Sequence, residues 1–384
     1  MGDKYLMGLD AGSGSGRCVL VSLDGERLFS TKTDWQYFTP DGLPGSAFEF
    51  DPDQFWTVLV ESIRATMKKA NIGGADIIGV SSTSQREGIV VLDQNNRELY
   101  AGPNRDFRAP MEGMTIAAQH GDEIYQRTGH YPSGIFACAR LQWFKKNQPE
   151  TYEKMDTLLS INDWILFRLS GQKICEPTNA SETALYDIHT KQWAFDLIDK
   201  LGLKNIFPEV KPAGTMIGEV LPSVAEATGL KAGTPVVVGG ADTQCGLLGI
   251  GFFKIKSMGA ISGTTTPVQM ILDEAITDEQ QRTWTSPYLS EDTYVLESNA
   301  GASGSIFQWV HDTFCESEVM KSDQQEAFRL MTQIAEQAQP GASGMLSHIG
   351  VSIMNAKKLA APPSVFHFGM SPISSDFRSN KPDF

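Results

Sequence analysis

Long apolar runs and paired metal-ligating residues are both scarce in this sequence. No apolar run approaches the roughly 18–20 residues that a membrane-spanning helix needs, which argues against a transmembrane segment. The five cysteines lie far apart with no CxxC pair, and the six histidines show no HxxxH or HExxH spacing. We therefore expect neither a disulfide framework nor a zinc site, and reduced thiols are the plain interpretation.

Positive charge is also in short supply. Lys and Arg number 32 against 46 Asp and Glu, which gives a formal net charge of −14. General binders of nucleic acid or of anionic membranes are basic, so no nucleic-acid partner and no membrane partner is expected. An acidic protein can still bind a phosphate ligand through local amides, a metal ion or a few cations. The opening residues MGDKYLMGLD lack the layout of a signal peptide, so we expect a cytoplasmic protein.

The length of the chain and an internal repeat both favour two domains. A chain of 384 residues is long for one hydrophobic core. The stretch IKSMGAISGTTTPVQMIL, which begins near residue 254, has the pattern of YLMGLDAGSGSGRCVLVSL at the start: a strand, a turn of small residues and a second strand. We predict one domain over residues 1–250 and another over residues 251–384. If both follow one plan, the shorter second domain is incomplete.

The turn in DAGSGSGR, residues 10–17, lies between two predicted strands. It is not a P-loop, because no Gly-Lys-Ser/Thr follows. It is not a dinucleotide fingerprint either, because Arg17 stands where a small residue is needed and a strand follows. The turn predicts a hairpin whose amides face an anion, with Asp10 as a magnesium ligand through water. An ordinary tight hairpin with a solvated acid is the alternative. Residues 263–266 would form the matching turn of the second domain.

Two other places carry candidate chemistry. Asp242 ends the apolar strand TPVVVGGAD, where a carboxylate suits a general base that accepts a proton from a substrate hydroxyl. The alternative role for Asp242 is a cap on the following helix.

Arg86 and Glu87 follow another predicted strand, and together they can donate to and accept from neighbouring hydroxyls of a polyol. A surface ion pair is the alternative. The tryptophans that would either line a sugar site or belong to the core are Trp35, Trp143 and Trp164.

Several stretches, in this order, resemble the FGGY carbohydrate kinases of the actin/hexokinase/Hsp70 superfamily. The resemblance implies an α/β fold of two ribonuclease-H-like domains around a cleft, the second incomplete here. It also implies magnesium-assisted transfer of phosphate from ATP to a hydroxyl of a small sugar or polyol. Within the family, the pattern is most similar to the autoinducer-2 kinase group. The matching stretches are GLDAGSGSGR, EFDPDQFW, STSQREGIV, INDWILFRLSG, PTNAS, GTPVVVGGADTQCGLLG, ISGTTTPV and AGASGSIFQWV.

The resemblance also assigns roles to individual positions. Asp242 would be the catalytic base and would touch the substrate, whose hydroxyls Arg86 and Glu87 would hold. Asp10 would organise the magnesium ion. Whether the protein forms a homodimer is left open by the resemblance. The residues that would bind ATP are Ser13, Gly14, Ser15, Arg17, Thr264, Gly304 and Gln308.

The sequence departs from the family pattern in ways that leave alternatives. Xylulokinases have a Met-His pair at the positions where this chain has Arg86-Glu87. Glycerol kinases have Tyr near the position of Ile135, and they have Gln after the base, where this chain has Thr243. The late glycine-rich turn that receives adenine is absent before the chain ends. The alternatives are therefore a truncated, catalytically impaired sugar-binding remnant, or a glycerol-kinase-like member. A chaperone-type or actin-type ATPase without a small substrate is a further rival.

Overall fold

The computed structural model describes residues 4–263, 265–299, 303–314, 324–341, 346–348, 354–357 and 365–367. The first elements are β1 (Tyr5–Ala11), β2 (Ser15–Ser22), β3 (Leu28–Asp34), α1 (Pro52–Ala70), β4 (Ile77–Ser84), β5 (Ile89–Asp93), β6 (Glu98–Gly102), α2 (Pro110–Thr128), α3 (Ala137–Asn147) and α4 (Pro149–Lys154). Next come β7 (Met155–Ser160), α5 (Ile161–Ser170), α6 (Pro177–Ser181), β8 (Tyr186–Asp187), β9 (Gln192–Trp193), α7 (Phe195–Lys200), β10 (Met216–Glu219), α8 (Pro222–Thr228), β11 (Pro235–Ala241) and α9 (Asp242–Gly249). The last are β12 (Met258–Ala260), β13 (Pro267–Leu272), β14 (Trp284–Pro287), β15 (Tyr294–Asn299), α10 (Ser303–Phe314), α11 (Gln324–Ala335), β16 (Leu346–His348) and β17 (Val365–His367).

The chain divides into two compact units. The first unit consists of Met1–Gly259 and Gln269–Glu297, and the second consists of Ala260–Val268 and Ser298–Phe384. The first unit therefore extends beyond residue 250, and the domain boundary that the repeat places there stays a prediction. In the second unit, α10 and α11 bring the rings of Phe307 and Phe328 to 5.1 Å between centroids. No helix in the described part of the chain is long and apolar enough to cross a membrane.

A six-stranded sheet organises the first unit, in the order β10-β11-β4-β1-β2-β3. Strands β1, β2 and β3 form an antiparallel meander, and the pairing of β1 with β2 confirms the hairpin predicted at residues 10–17. Strand β1 runs parallel to β4, and β4 runs parallel to β11. Because these three central strands point the same way, their carboxyl ends meet at one edge of the sheet. A smaller antiparallel sheet, β6-β5-β7, follows the loop after β4.

Helix α1 shows how the local sequence builds the core beside this sheet. Asp51 caps the helix by accepting from the amides of Asp53 and Gln54, and Pro52 occupies the first turn. The side chains that recur every four residues are buried, as their spacing predicts, and α1 packs on β2 and β3. The tryptophans discussed above are all buried, which favours core positions over sugar contacts. The repeating side chains of α1 are Phe55, Leu59, Ile63 and Met67.

Glycine at position 239 allows β11 to approach β4 closely. The register of the two strands shifts between Val237 and Gly240, which marks an irregularity just before the carboxyl end of β11. A Cβ atom at Gly239 would lie 1.8 Å from the carbonyl oxygen of Ser82, which is backbone and cannot turn aside. A side chain here would therefore push the two strands apart at the edge where their ends meet.

We expect Gly239→Ala to lower the free energy of unfolding by about 1–3 kcal/mol, the usual range for overpacking a well-packed interior. Gly8→Ala in β1 is the matched control, because a Cβ there would have no heavy atom within 4 Å. The control should change stability by no more than about 0.5 kcal/mol. Denaturant titration of the three proteins measures the difference. Equal stability of the two variants would contradict the close approach at Gly239.

Candidate active site

The carboxyl ends of three parallel strands carry the predicted polar residues. Asp10 is the penultimate residue of β1, Arg86 and Glu87 follow β4, and Asp242 follows β11. The ladder aligns Asp10 with Thr83, and Ala241 with Ser84. The fold thus brings residues from three distant parts of the sequence to one edge, where open parallel sheets bind their ligands.

Asp242 is the first residue of α9. The capping position is Ala241, so Asp242 does not act as the N-cap that was the alternative for it. Its Oδ1 accepts from the amide of Thr243 at 2.7 Å and from the Thr243 hydroxyl at 3.2 Å. Within the described residues no hydrogen bond reaches Oδ2. Burial raises the pKa of Asp242 to about 6, a shift that Arg86 opposes and Asp10 increases.

Arg86 is buried and pairs with carboxylates that are far away in sequence. Its guanidinium donates to both oxygens of Glu297, at 2.6 and 2.8 Å, and to Glu182 at 3.3 Å. The guanidinium carbon lies 5.7 Å from the centroid of the Trp284 ring. The alternative of a solvated ion pair with its neighbour Glu87 is therefore wrong, because Arg86 is buried and makes its ion pairs with Glu297 and Glu182.

Glu87 adopts a strained backbone conformation. Its φ is 55°, in the left-handed region that residues other than glycine rarely adopt. The amide of Gly88 donates to the carbonyl of Arg86 at 2.7 Å across this turn, and the Arg140 guanidinium donates to the carbonyl of Glu87. Arg140 is itself fixed by the Tyr100 hydroxyl at 3.1 Å. The conformation of Glu87 thus depends on a buried arginine.

The carboxyl of Glu87 lies among other acids. Burial raises the pKa of Glu87 well above its usual range, Glu182 adds to the shift, and Arg86 opposes it. Burial also disfavours the Glu182 anion, but the charges of Arg86 and then of His130 outweigh it and lower the pKa of Glu182. The Nε2 atom of His130 lies 3.4 Å from Glu182. Of the two acids, Glu87 is therefore the one whose protonated form the site favours, and Glu182 the one whose charged form it favours.

The turn between β1 and β2 is fixed from both sides. Gln85 donates to the carbonyl of Gly12 at 3.3 Å, and Asn104 donates to the Ser13 hydroxyl at 2.9 Å. The amides of Ser13 and Gly14 make no hydrogen bond to another described residue. A fixed turn whose backbone amides have no acceptor among the described residues has the chemistry of an anion-binding site.

Charges flank this turn. Arg17 lies opposite Asp10 in the ladder, and its guanidinium is 3.3 Å from the Asp10 carboxylate. Burial raises the pKa of Asp10, and Arg17 opposes that shift. Ser15, another residue predicted to bind ATP, is the buried first residue of β2. The structure therefore keeps Asp10, Ser13, Gly14, Ser15 and Arg17 together around one hairpin.

The remaining predicted site residues belong to the second unit. Gly304 and Gln308 lie on α10, where Gln308 donates to Asp312 at 2.7 Å. Thr264 lies outside the described residues. Beside it along the chain, the hydroxyl of Thr266 is 2.6 Å from that of Ser303, which joins the turn to the start of α10. A role in ATP binding stays a prediction for Thr264, Gly304 and Gln308.

Glu182, Glu297 and His130 are the site residues that sequence reasoning missed. Glu182 ends the stretch PTNASE, and Glu297 stands in β15 within the otherwise apolar pattern TYVLES. An acid directly after the apolar residues YVL was the available signal for Glu297. Its partner could not be identified, because Arg86 and Glu297 are 211 positions apart.

Comparisons with known proteins show the family of the chain. The model of the FGGY family of carbohydrate kinases, N-terminal domain, matches residues 5–249. The autoinducer-2 kinase of Salmonella paratyphi A is 33% identical over 376 residues, which cover 96% of this chain and 70% of that protein. The autoinducer-2 kinase of Klebsiella pneumoniae subsp. pneumoniae is 32% identical over the same shares of both chains.

Solved structures show the same fold. The ligand-bound xylulose kinase of Lactobacillus acidophilus superposes with a TM-score of 0.81 at 20% identity, over 99% of this chain and 74% of that one. The Plasmodium falciparum glycerol kinase with ADP gives 0.80 at 18%, over 99% and 75%. These matches confirm the predicted α/β fold of the actin/hexokinase type. The family model and the autoinducer-2 kinases confirm the predicted phosphotransferase class, which acts on an alcohol group. The chain belongs to the FGGY family of carbohydrate kinases.

Proposed function

We propose that this chain transfers the γ-phosphoryl group of ATP to a hydroxyl of a small sugar, polyol or sugar-like signal molecule, with Asp242 as general base. The observation that supports this most directly is the meeting of Asp10, Glu87 and Asp242 at the carboxyl edge of one sheet. In phosphoryl transfer the protein mainly positions the reactants and stabilises charge. The two tasks fall to different parts of this edge.

Asp242 has the properties of a base that works near neutral pH. Its Oδ1 is held by the amide and hydroxyl of Thr243, while Oδ2 has no hydrogen bond with any described residue. The carboxyl is largely ionised at pH 7, because its pKa is raised only to about 6. A base whose pKa lies close to the working pH combines the correct protonation state with a useful driving force for proton transfer.

Arg86 and Glu87 are suited to hold the acceptor hydroxyls. Arg86 uses Nη1 and Nη2 for Glu297 and Glu182, and its Nε–H makes no hydrogen bond with any described residue. The raised pKa of Glu87 favours its protonated form, which can both donate and accept. Together they offer donors and an acceptor to neighbouring hydroxyls.

The β1–β2 turn is suited to phosphate and magnesium. Mg²⁺ prefers oxygen ligands and usually takes one or two carboxylates, with waters and substrate phosphates completing its shell. Asp10 fits this need, because its anion is destabilised by burial and would gain from a nearby cation. Magnesium would supply neutralisation of the phosphate charge. The amides of Ser13 and Gly14, with Ser15 and Arg17, would hold the phosphate oxygens.

The relatives suggest the first substrate to test. Because the similar proteins are named autoinducer-2 kinases, the linear pentanedione-type autoinducer precursor should give the highest kcat/KM in a panel with glycerol and pentuloses. The assay follows ADP release with Mg²⁺-ATP. Calorimetry with Mg²⁺-ATP tests the remnant alternative: binding at micromolar concentration supports the kinase, and its absence, with no turnover of any acceptor, supports a sugar-binding remnant.

We expect Asp242→Asn to lower kcat by about 10² to 10⁴-fold, the usual contribution of a positioned general base. Acceptor affinity, measured by calorimetry, should change little, because Asn keeps the shape and a hydrogen-bonding group. Asp34→Asn is the control, since this acid is exposed and, among the described residues, forms an ion pair only with Lys32 at the surface. Full turnover by Asp242→Asn would remove this carboxylate from its catalytic role.

The pH dependence of kcat/KM offers a separate test. The Asp242 base acts only when deprotonated, so kcat/KM should fall tenfold per pH unit below about pH 6 and level off above it. The raised pKa also means that the folded state favours the protonated carboxyl, so this group's stabilisation is lost as pH rises through about 6. At pH 8, Asp242→Asn should therefore unfold at a temperature no lower than the parent. An acid limb near pH 4 would contradict the raised pKa.

A further inference from the structure

The short helix α6 touches both halves of the proposed site. Glu176 precedes it and accepts from the amide of Asn179, and Glu182 ends it. Thr178 and Glu182 are four residues apart, a spacing that places two side chains on the same face of a helix. Thr178 contacts the strand that leads to Asp242, while Glu182 contacts Arg86. We propose that α6 is a brace in which Thr178 and Glu182 are positioning residues for Asp242 and Arg86.

The contact at the Asp242 end is a chain of three groups. The amide of Ala241 donates to the Thr178 hydroxyl at 2.9 Å, and that hydroxyl donates to the Glu176 carboxylate at 2.5 Å. Because the amide can only donate, the hydroxyl proton must point to Glu176. The same Glu176 oxygen also accepts from the amide and side chain of Asn179, both at 3.1 Å. Thr178 is fully buried, so its hydroxyl has one fixed orientation.

The end of β11 needs this support. On the side of β10, the pairing of β11 ends at Val238, which bonds to Gly214 and Thr215. Within the described residues, Gly240 and Ala241 therefore pair with β4 alone. Thr178 supplies the acceptor for Ala241, and the Thr83 hydroxyl donates to the carbonyl of Gly240 at 2.7 Å. Two threonine hydroxyls therefore fix the peptide group between Gly240 and Ala241, from its carbonyl and from its amide. The position of the Asp242 carboxylate, one residue further on, follows from the position of this peptide group.

The contact at the other end is ionic. Glu182 accepts from Arg86 at 3.3 Å, and its other oxygen lies 3.4 Å from His130. Both Glu182 and Arg86 are buried, so little solvent screens the pair. A single rigid turn of helix thus connects the base to the arginine that would hold the acceptor hydroxyls. Misplacing reacting groups by about 1 Å can lower a rate by about 10²-fold, so such a connection matters for turnover.

The test is Thr178→Val, which keeps the shape of the side chain and removes its hydroxyl. We expect kcat to fall at least tenfold while KM for the acceptor stays within twofold, and Thr178→Ser should restore most of the rate. Thr228→Val is the matched control. Thr228 is equally buried, accepts from the amide of Leu230 at 3.2 Å and donates to the carbonyl of Val224 at 2.6 Å, but it lies on α8. Its variant should lose thermal stability without a change in kcat.

The outcome separates the brace from the proposed function on which it rests. If Thr178 acts through Asp242, the effect of Thr178→Val should disappear in an Asp242→Asn background. Full turnover by Asp242→Asn would overturn the general base itself. Reduced turnover by Asp242→Asn, with Thr178→Val behaving like Thr228→Val, would overturn the brace alone. Should Thr178→Val fail to fold, Thr178→Ala removes the same hydroxyl from a smaller side chain: a fall in kcat at constant KM supports the brace, and an unchanged kcat contradicts it.

Discussion

The electrostatics of this site depend on the ion pairs of the Arg86 guanidinium. The guanidinium forms a bidentate pair with Glu297 and a further hydrogen bond to Glu182, and all three side chains are buried. Its charge also lowers the pKa of Glu87 and of Asp242 against the effect of burial. Without this cation, buried carboxylates would face each other uncompensated, a situation that is strongly destabilising. One side chain therefore opposes the effect of burial on the pKa values of three acids, Glu87, Glu182 and Asp242.

The sheet decides where these charges meet. Parallel pairing of β1, β4 and β11 places three chain turns side by side, and Gly239 lets β11 lie close to β4 before its end. The hydroxyls of Thr83 and Thr178 then hold the peptide group between Gly240 and Ala241 at the end of β11. The order of the strands determines which residues meet at this edge of the sheet. The side-chain hydrogen bonds then determine the position of the Asp242 carboxylate at that edge.

The sequence predicts the parts of this arrangement that local patterns encode. The apolar spacing of α1, its Asp51 cap and the opening hairpins need only short-range information. The polar residues that follow apolar strands, Asp10 and Asp242 among them, are also visible in this way. Their grouping at one edge required a family resemblance, because no local pattern states that β4 lies between β1 and β11.

Long-range partners escape such reasoning for a physical reason. Arg86 looks like the cation of its neighbour Glu87, yet its ion pairs are with Glu182 and Glu297, 96 and 211 positions away. The fold, and not nearness in the sequence, determines which acids come within hydrogen-bond distance of Arg86. The stretch PTNAS contributes to the resemblance, but nothing in its letters shows that Thr178 would accept from Ala241.

The protonation pattern that suits catalysis also works against stability. Burial raises the pKa values of Asp10, Glu87 and Asp242, so the folded state binds protons more tightly than the unfolded state at these positions. By linkage, their contribution to stability is lost as the pH rises through those values. A working base must nevertheless be ionised, so the site operates where it is least stable. Rigid neighbours such as α6 therefore have two roles. They position the Asp242 carboxylate, and they hold the end of β11 in place against the destabilising effect of that buried charge.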